Sequence, residues 1–238
     1  MKLAVFDIDG TLTDTNDVDS VCYVQALADA QAFKGLNTNW GEYPHTTDSG
    51  ITLHIFEQRL QRAPDDFELA RLKECFVGLL NQHYLESSQL FQEIQGARVA
   101  LERLRLERDW SIAIATGCWR ASAALKLRAA GLELEGIPAA FAEDGLSRES
   151  IIEAAISKAL TCYGQSNFEK IVSVGDGLWD VSAAHNLKLA FLGVGSGERE
   201  ARLRRAGAKH VIPDFTNYTQ LVQYLFEAET PQLSPVPA

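Results

Sequence analysis

The chain opens on a short apolar run, Lys2 to Ile8, that ends at acidic residues and a glycine. A turn-like polar stretch follows at 10–16. Residues 17–33 are predicted as a helix, because Val18, Val21, Cys22, Ala26, Leu27 and Ala30 recur at helical spacing. Residues 37–50 are polar and rich in aromatics and turn formers, among them Trp40, Tyr43, Pro44, His45 and Gly50. Helical patterns resume at 51–61, 65–85 and 87–93, and no strand is predicted between 13 and 95.

Beyond residue 96 the rhythm changes. An amphipathic helix is expected over 97–108, then a strand over 111–115 that ends at Thr116-Gly117, then a helix over 119–130. A weaker strand at 138–142 and a helix at 148–162 precede a strong strand, Ile171 to Val174, which ends at Gly175-Asp176-Gly177. A helix at 179–186, a strand at 189–193, a helix at 197–206, a strand at 209–212 and a helix at 216–227 complete the series. Buried runs alternating with helices predict an α/β fold: a doubly wound, mostly parallel, Rossmann-like sheet covered on both sides. Residues 1–14 and 94–228 would form this core, 15–93 an inserted α-helical cap domain, and 229–238 a flexible tail. Ligands of such sheets bind beyond the carboxyl ends of the strands, so an insert directly after the first strand would cover the site.

Composition narrows the function classes. With 46% hydrophobic and 23% charged residues the chain is that of a globular protein. A net charge of -10, from 22 basic and 32 acidic side chains, argues against nucleic-acid backbones as partners. It leaves room for a phosphorylated small metabolite, because a metal and a few local donors can overcome the global field. The four cysteines, Cys22, Cys75, Cys118 and Cys162, form no CxxC and read as free thiols of a reducing compartment. The first apolar run is too short for a signal peptide, and no stretch approaches a membrane span. A cytoplasmic location and no membrane partner are the expectations; the oligomeric state is unreadable.

Three strand ends carry chemistry: Asp7 and Asp9, Thr116 and Gly117, and Asp176 with Asp180. If the first strand continued, Asp7 and Asp9 would point to one face. Gly10 would let the backbone bend closely around a ligand. Four carboxylates at one edge would repel without a cation, and an all-oxygen donor set suits magnesium better than zinc. Each residue alone also fits a cap or a turn; their arrangement at separate strand ends is what points to a site.

The set Asp7-Ile-Asp9-Gly-Thr-Leu12, Thr116 after a strand, Arg148, and Gly175-Asp-Gly-Leu-Trp-Asp180 resembles the haloacid-dehalogenase-like (HAD) hydrolase superfamily. Within it, the chain is most similar to the phosphatase branch with a helical cap inserted after the first strand, and the resemblance covers almost the whole chain. It implies that Asp7 is the nucleophile and a magnesium ligand, forming an aspartyl-phosphate that water cleaves. It implies that Asp9 acts as acid and then base, with its backbone carbonyl facing the metal. Thr116, Gly117 and neighbouring N–H groups would hold the phosphoryl oxygens. Asp176 would ligate magnesium, and Asp180 would bind its waters or orient a neighbour.

Two departures matter. The family's third motif is usually lysine; Arg148 is the best match here, with a solvated helix-start arginine as the alternative. Lys158 and Lys170 are weaker candidates, one inside a helix and one before a strand. Family dehalogenases typically lack the second aspartate of the first motif, so Asp9 argues against carbon–halogen hydrolysis. In capped relatives the loop after the first cap helix reaches the substrate, which corresponds to 39–50 here and makes Tyr43 and His45 substrate-binding candidates. Magnesium-dependent hydrolysis of a small phosphomonoester is the leading expectation. A sugar-phosphate mutase using the same aspartate and a non-enzymatic phosphate- and magnesium-binding protein are the alternatives.

Overall fold

The computed structural model describes residues 1–132 and 134–232. The apolar runs form six strands: β1 (Lys2–Phe6), β2 (Trp110–Ala115), β3 (Ala139–Ala140), β4 (Ile171–Gly175), β5 (Ala190–Val194) and β6 (His210–Ile212). They make one sheet in the order β3-β2-β1-β4-β5-β6, with every neighbouring pair parallel. This is a doubly wound order whose direction of growth reverses between β1 and β4. Every residue of β2 and of β5 is buried, as strands covered on both faces require.

Nine helices are described: α1 (Asn16–Gln31), α2 (Asp48–Leu60), α3 (Asp66–Glu86), α4 (Ala97–Leu104), α5 (Arg120–Ala129), α6 (Arg148–Cys162), α7 (Leu178–Asn186), α8 (Glu198–Arg205) and α9 (Tyr218–Glu227). The two-residue period of β1 divides the core. Ala4 and Phe6 pack with α4, α5 and α9, whereas Leu3 and Val5 pack with α6 and α7.

The helices α1 to α3 lie over the carboxyl ends of β1 and β2. Cys22, Ala26 and Leu27 of α1, Ile55 and Phe56 of α2, and Leu72, Phe76 and Leu80 of α3 share one apolar cluster. Val21, expected on the same stripe, is 58% exposed. Trp119, Leu125 and Ala142 of the sheet-bearing part enter this cluster, so the cap packs onto the core instead of standing free. The chain leaves and returns side by side: Asp14 N–H donates to Gln92 O at 2.8 Å and Ile94 N–H to Leu12 O at 2.9 Å. This pairing holds the return extended, and the helix expected over 87–93 is a single 3-10 turn at Ser88–Leu90.

The beginning of the expected tail is not loose. Phe191 N–H donates to Glu229 O at 3.1 Å, His185 Nδ1 lies 2.8 Å from Pro231 O, and Pro231 is buried. These contacts extend the edge of the core to Gln232; residues 233–238 of that expected tail lie outside the described residues.

Candidate active site

The switch between β1 and β4 places Asp7 and Asp176 at adjacent strand ends. Asp7 N–H donates to Val174 O at 3.0 Å, carrying the ladder one residue past β1. Asp7, Asp176 and Asp180 are all buried, and each offers a carboxylate oxygen within 4.8 Å of the others. Arg148 enters from the first turn of α6, with Nη1 3.0 Å from Asp7 Oδ1 and 3.5 Å from Asp180 Oδ1. Its Nε donates to Thr46 O of the cap loop at 3.0 Å. A cation in a first helical turn opposes the helix dipole; here the two carboxylates offset that cost. Lys158 and Lys170 go elsewhere, to Asp144 and to Phe226 O respectively.

Burial and mutual repulsion act on the acidic trio, with Arg148 and Arg199 as the cations against it. Burial first, then Asp7, pushes the Asp176 carboxyl up to about 7, against the opposing pull of Arg199. Burial pushes Asp180 up to about 8, with Arg148 opposing and Asp7 and Asp176 adding to the rise. Asp180 also reaches back to accept Gly177 N–H at 3.0 Å, so it caps α7 and faces the trio at once. Asp176 accepts from Asn16 Nδ2 at 3.1 Å and from Thr11 Oγ1 at 3.5 Å. Gly10 has φ +73°, and a Cβ there would stand 2.1 Å from Asp176 Oδ2. Only glycine combines that backbone with that approach.

Asp9 belongs to a second cluster. The strand stops at Phe6, and Thr11, Leu12 and Thr13 N–H groups fold back onto Ile8 O at 3.1, 2.7 and 2.9 Å. The extended geometry that would aim both carboxylates at one face is therefore lost. Asp9 Oδ2 accepts from Lys126 Nζ at 2.6 Å and from Cys118 Sγ at 2.7 Å; Oδ1 accepts from Thr15 Oγ1 at 2.5 Å. Lys126 also pairs with Asp19 of α1. Burial raises the Asp9 carboxyl, but Lys126 and the Cys118 and Thr15 donors outweigh it and hold the carboxyl below its usual range. Lys126 escaped the sequence reading, because a lysine in an amphipathic helix reads as solvated. The available signal was its spacing: Ser122, Ala123 and Lys126 fall on one buried face of α5, in line with Trp119 at its N-cap.

Thr116 is buried after β2, and its Oγ1 accepts from Cys118 N–H at 3.3 Å. Gly117 O accepts from Asp48 N–H of the cap at 2.7 Å. A Cβ on Gly117 would stand 2.8 Å from Thr46 O and 3.0 Å from Arg148 Cζ, so this glycine lets cap loop and arginine meet. Next to it Trp119 anchors the cap. Its backbone N–H donates to Asp48 Oδ2 at 2.8 Å and its indole N–H to Ser49 Oγ at 2.9 Å.

Between cap and core lies a cleft of about 720 Å³ whose walls include Tyr43, His45, Gly117, Arg148, Trp179 and Arg199. Tyr43 is half-buried and donates its hydroxyl to Asn37 O at 2.9 Å. His45 is half-buried on the same wall. Asp9 and Asp176 line the cleft, whereas Asp7 borders a void of about 10 Å³ together with Ser173 and Asp180. Arg148 is the partition between the two spaces.

No helix among the described residues is long and apolar enough to cross a membrane. The same architecture occurs in a hydrolase from Pseudomonas syringae, which is 24% identical, with 95% of this chain and 99% of that chain covered and a TM-score of 0.69. CbbY from Rhodobacter sphaeroides, solved in complex with phosphate, is 16% identical over 90% of this chain and 95% of that chain, with a TM-score of 0.65. A HAD hydrolase of family IA, variant 3, from Entamoeba histolytica is 15% identical, with 95% and 100% coverage and a TM-score of 0.64. No curated protein matches the chain. The model of the haloacid dehalogenase-like hydrolases matches residues 1–188, a span that holds the first strand, the cap, Arg148, Asp176 and Asp180; the chain belongs to this family.

Proposed function

We propose that the protein hydrolyses small phosphomonoesters, with Asp7 as nucleophile and magnesium held at the acidic trio. The observation that carries this reading is the position of Asp7: a buried carboxylate at the switch point, between Arg148 and the pair Asp176 and Asp180. Of the two clusters able to hold a cation, the one at Asp9, Asp19 and Cys118 already receives the ammonium of Lys126. The trio at Asp7 is all oxygen, three buried carboxylates close together, a donor set that fits a hard divalent ion. Asp7, the Asp9 carbonyl and Asp176 would hold it, with Asp180 orienting its surroundings. Bound magnesium would neutralise charge on the phosphoryl oxygens during transfer.

The residues of the chain supply the rest. A phosphate entering the cleft competes with Asp7 for Arg148, and moving the guanidinium from carboxylate to phosphoryl group uncovers the nucleophile. An Asp7 oxygen then forms a bond to phosphorus while the bond to the leaving oxygen breaks, and Asp9 protonates that oxygen. Water, losing a proton to Asp9, cleaves the aspartyl-phosphate and returns Asp7. Lys126 favours the ionised form of Asp9, the form needed for the second step, so the proton given up in the first step must be taken up from solvent against that bias. Gly117, Tyr43 and His45 line the cleft and Thr116 is buried at the end of β2; in this reading Thr116 and Gly117 would hold the phosphoryl oxygens, and Tyr43 and His45 would contact the leaving group.

The purified protein should be screened against phosphorylated metabolites with magnesium and with chelator, scoring inorganic phosphate and isomer formation. Stoichiometric, magnesium-dependent phosphate release is expected. Interconversion of sugar phosphates with little release would replace hydrolysis by a mutase activity, and binding without turnover would remove the enzymatic reading.

A further inference from the structure

Lys126 has no exposed surface and lies beneath the cleft, outside the residues that line it. A buried lysine is expensive unless each donor is paired. All three donors are used: on Asp9 Oδ2 at 2.6 Å, on Cys118 Sγ at 3.1 Å, and on Asp19 Oδ1. The Asp9 carboxylate is equally constrained, since its other oxygen is held by Thr15. Thr15 and Asp19 are one helical turn apart at the start of the cap, and Asp19 N–H donates to Thr15 O at 2.9 Å. Asp9 is thus gripped from the core by α5 and from the cap by the start of α1. An apolar side chain would fill this position at lower desolvation cost, so stability alone does not account for an ion here.

We propose that Lys126 is a positioning residue that fixes the Asp9 carboxylate from below and ties it to Asp19, so that Asp9 is held in place only when the cap is seated. The proposal rests on the phosphohydrolase reading of Asp9. Lys126 does not touch substrate; it acts through Asp9, and Asp19 acts through Lys126. Its loss leaves the cleft walls intact but frees the carboxylate that handles the proton.

The test is steady-state hydrolysis of 4-nitrophenyl phosphate with magnesium by wild type, Lys126→Met, Asp19→Asn and the double variant, alongside near-UV circular dichroism. Misplacing a catalytic group by about 1 Å costs on the order of 100-fold, so Lys126→Met should lower kcat by about 10- to 100-fold. KM should stay within about threefold, because no substrate contact is removed. Asp19→Asn should lower kcat by a smaller factor, and the double variant should be no slower than Lys126→Met. A folded Lys126→Met protein with wild-type kcat, or losses that multiply in the double variant, would overturn the proposal while leaving the phosphohydrolase reading intact. If Lys126→Met does not fold, Asp19→Asn decides alone: reduced kcat at near-constant KM supports the tie, and wild-type kcat overturns it. A wild-type protein that hydrolyses no phosphate ester would remove both readings together.

Discussion

Arg148 Nη1 lies 3.0 Å from Asp7 Oδ1, and this contact separates the buried nucleophile candidate from the cleft. Replacing Arg148 by Ala removes the positive partner of two buried carboxylates. Catalytic efficiency should fall by about 100- to 1,000-fold, the usual loss for a preorganised charge-stabilising group. Leaving buried charge unpaired costs about 3–5 kcal/mol, so the melting temperature should drop, and saturating magnesium should recover part of the drop. Activity and thermal stability measured with and without magnesium check both expectations; wild-type values in both would remove Arg148 from the catalytic and charge-balancing roles.

Gly10 tests the packing around Asp176. Gly10→Ala places a methyl group where Asp176 Oδ2 and Asn16 Nδ2 now stand, at a backbone angle that side chains avoid. The strain costs about 1–3 kcal/mol, and displacing Asp176 should raise the magnesium concentration for half-maximal activity by about tenfold or more. A magnesium titration of the variant gives the answer, and an unchanged midpoint would dissociate Asp176 from the metal.

Asp48 carries a pH signature. Its carboxyl is buried where the cap meets the core, and burial first, then Asp19, raises it well above the ordinary value of 3.8 despite Lys126 and the Trp119 N–H. A folded-state value above the unfolded one means the folded protein binds more protons between the two values. The contribution to stability is complete below pH 3.8 and is lost as pH rises through the folded value. Asp48→Asn keeps an oxygen for Trp119 N–H and removes the titration. The variant's melting temperature relative to wild type should therefore rise with pH, by about 2–4 °C for each kcal/mol recovered. Melting curves from pH 5 to 8 test this; a difference that stays constant or falls with pH would exclude it.

Much of the fold was legible in the sequence because its strands are short continuous apolar runs that end at glycines and acids. Ile171 to Val174 and the run at 111–115 were unambiguous for that reason. Asp7, Asp176 and Asp180 were legible because they follow apolar runs read as parallel strands and stand in motifs that resemble the family's. The direction of Asp9 was not, since it depends on where β1 stops and on the bend that Ile8 O organises. Lys126 was hidden because its partners lie 117 and 107 residues away, in the first motif and in the cap. The packing of Glu229 to Gln232 was obscured by a proline-rich composition that reads as a loose end.

The nucleophile is tested most directly by comparing phosphate release from 4-nitrophenyl phosphate by wild type and Asp7→Asn in magnesium. The two proteins should have the same near-UV circular dichroism. Wild type should release phosphate and stop on chelation, and Asp7→Asn should lose at least about four orders of magnitude in kcat. Comparable release by folded Asp7→Asn would contradict the account.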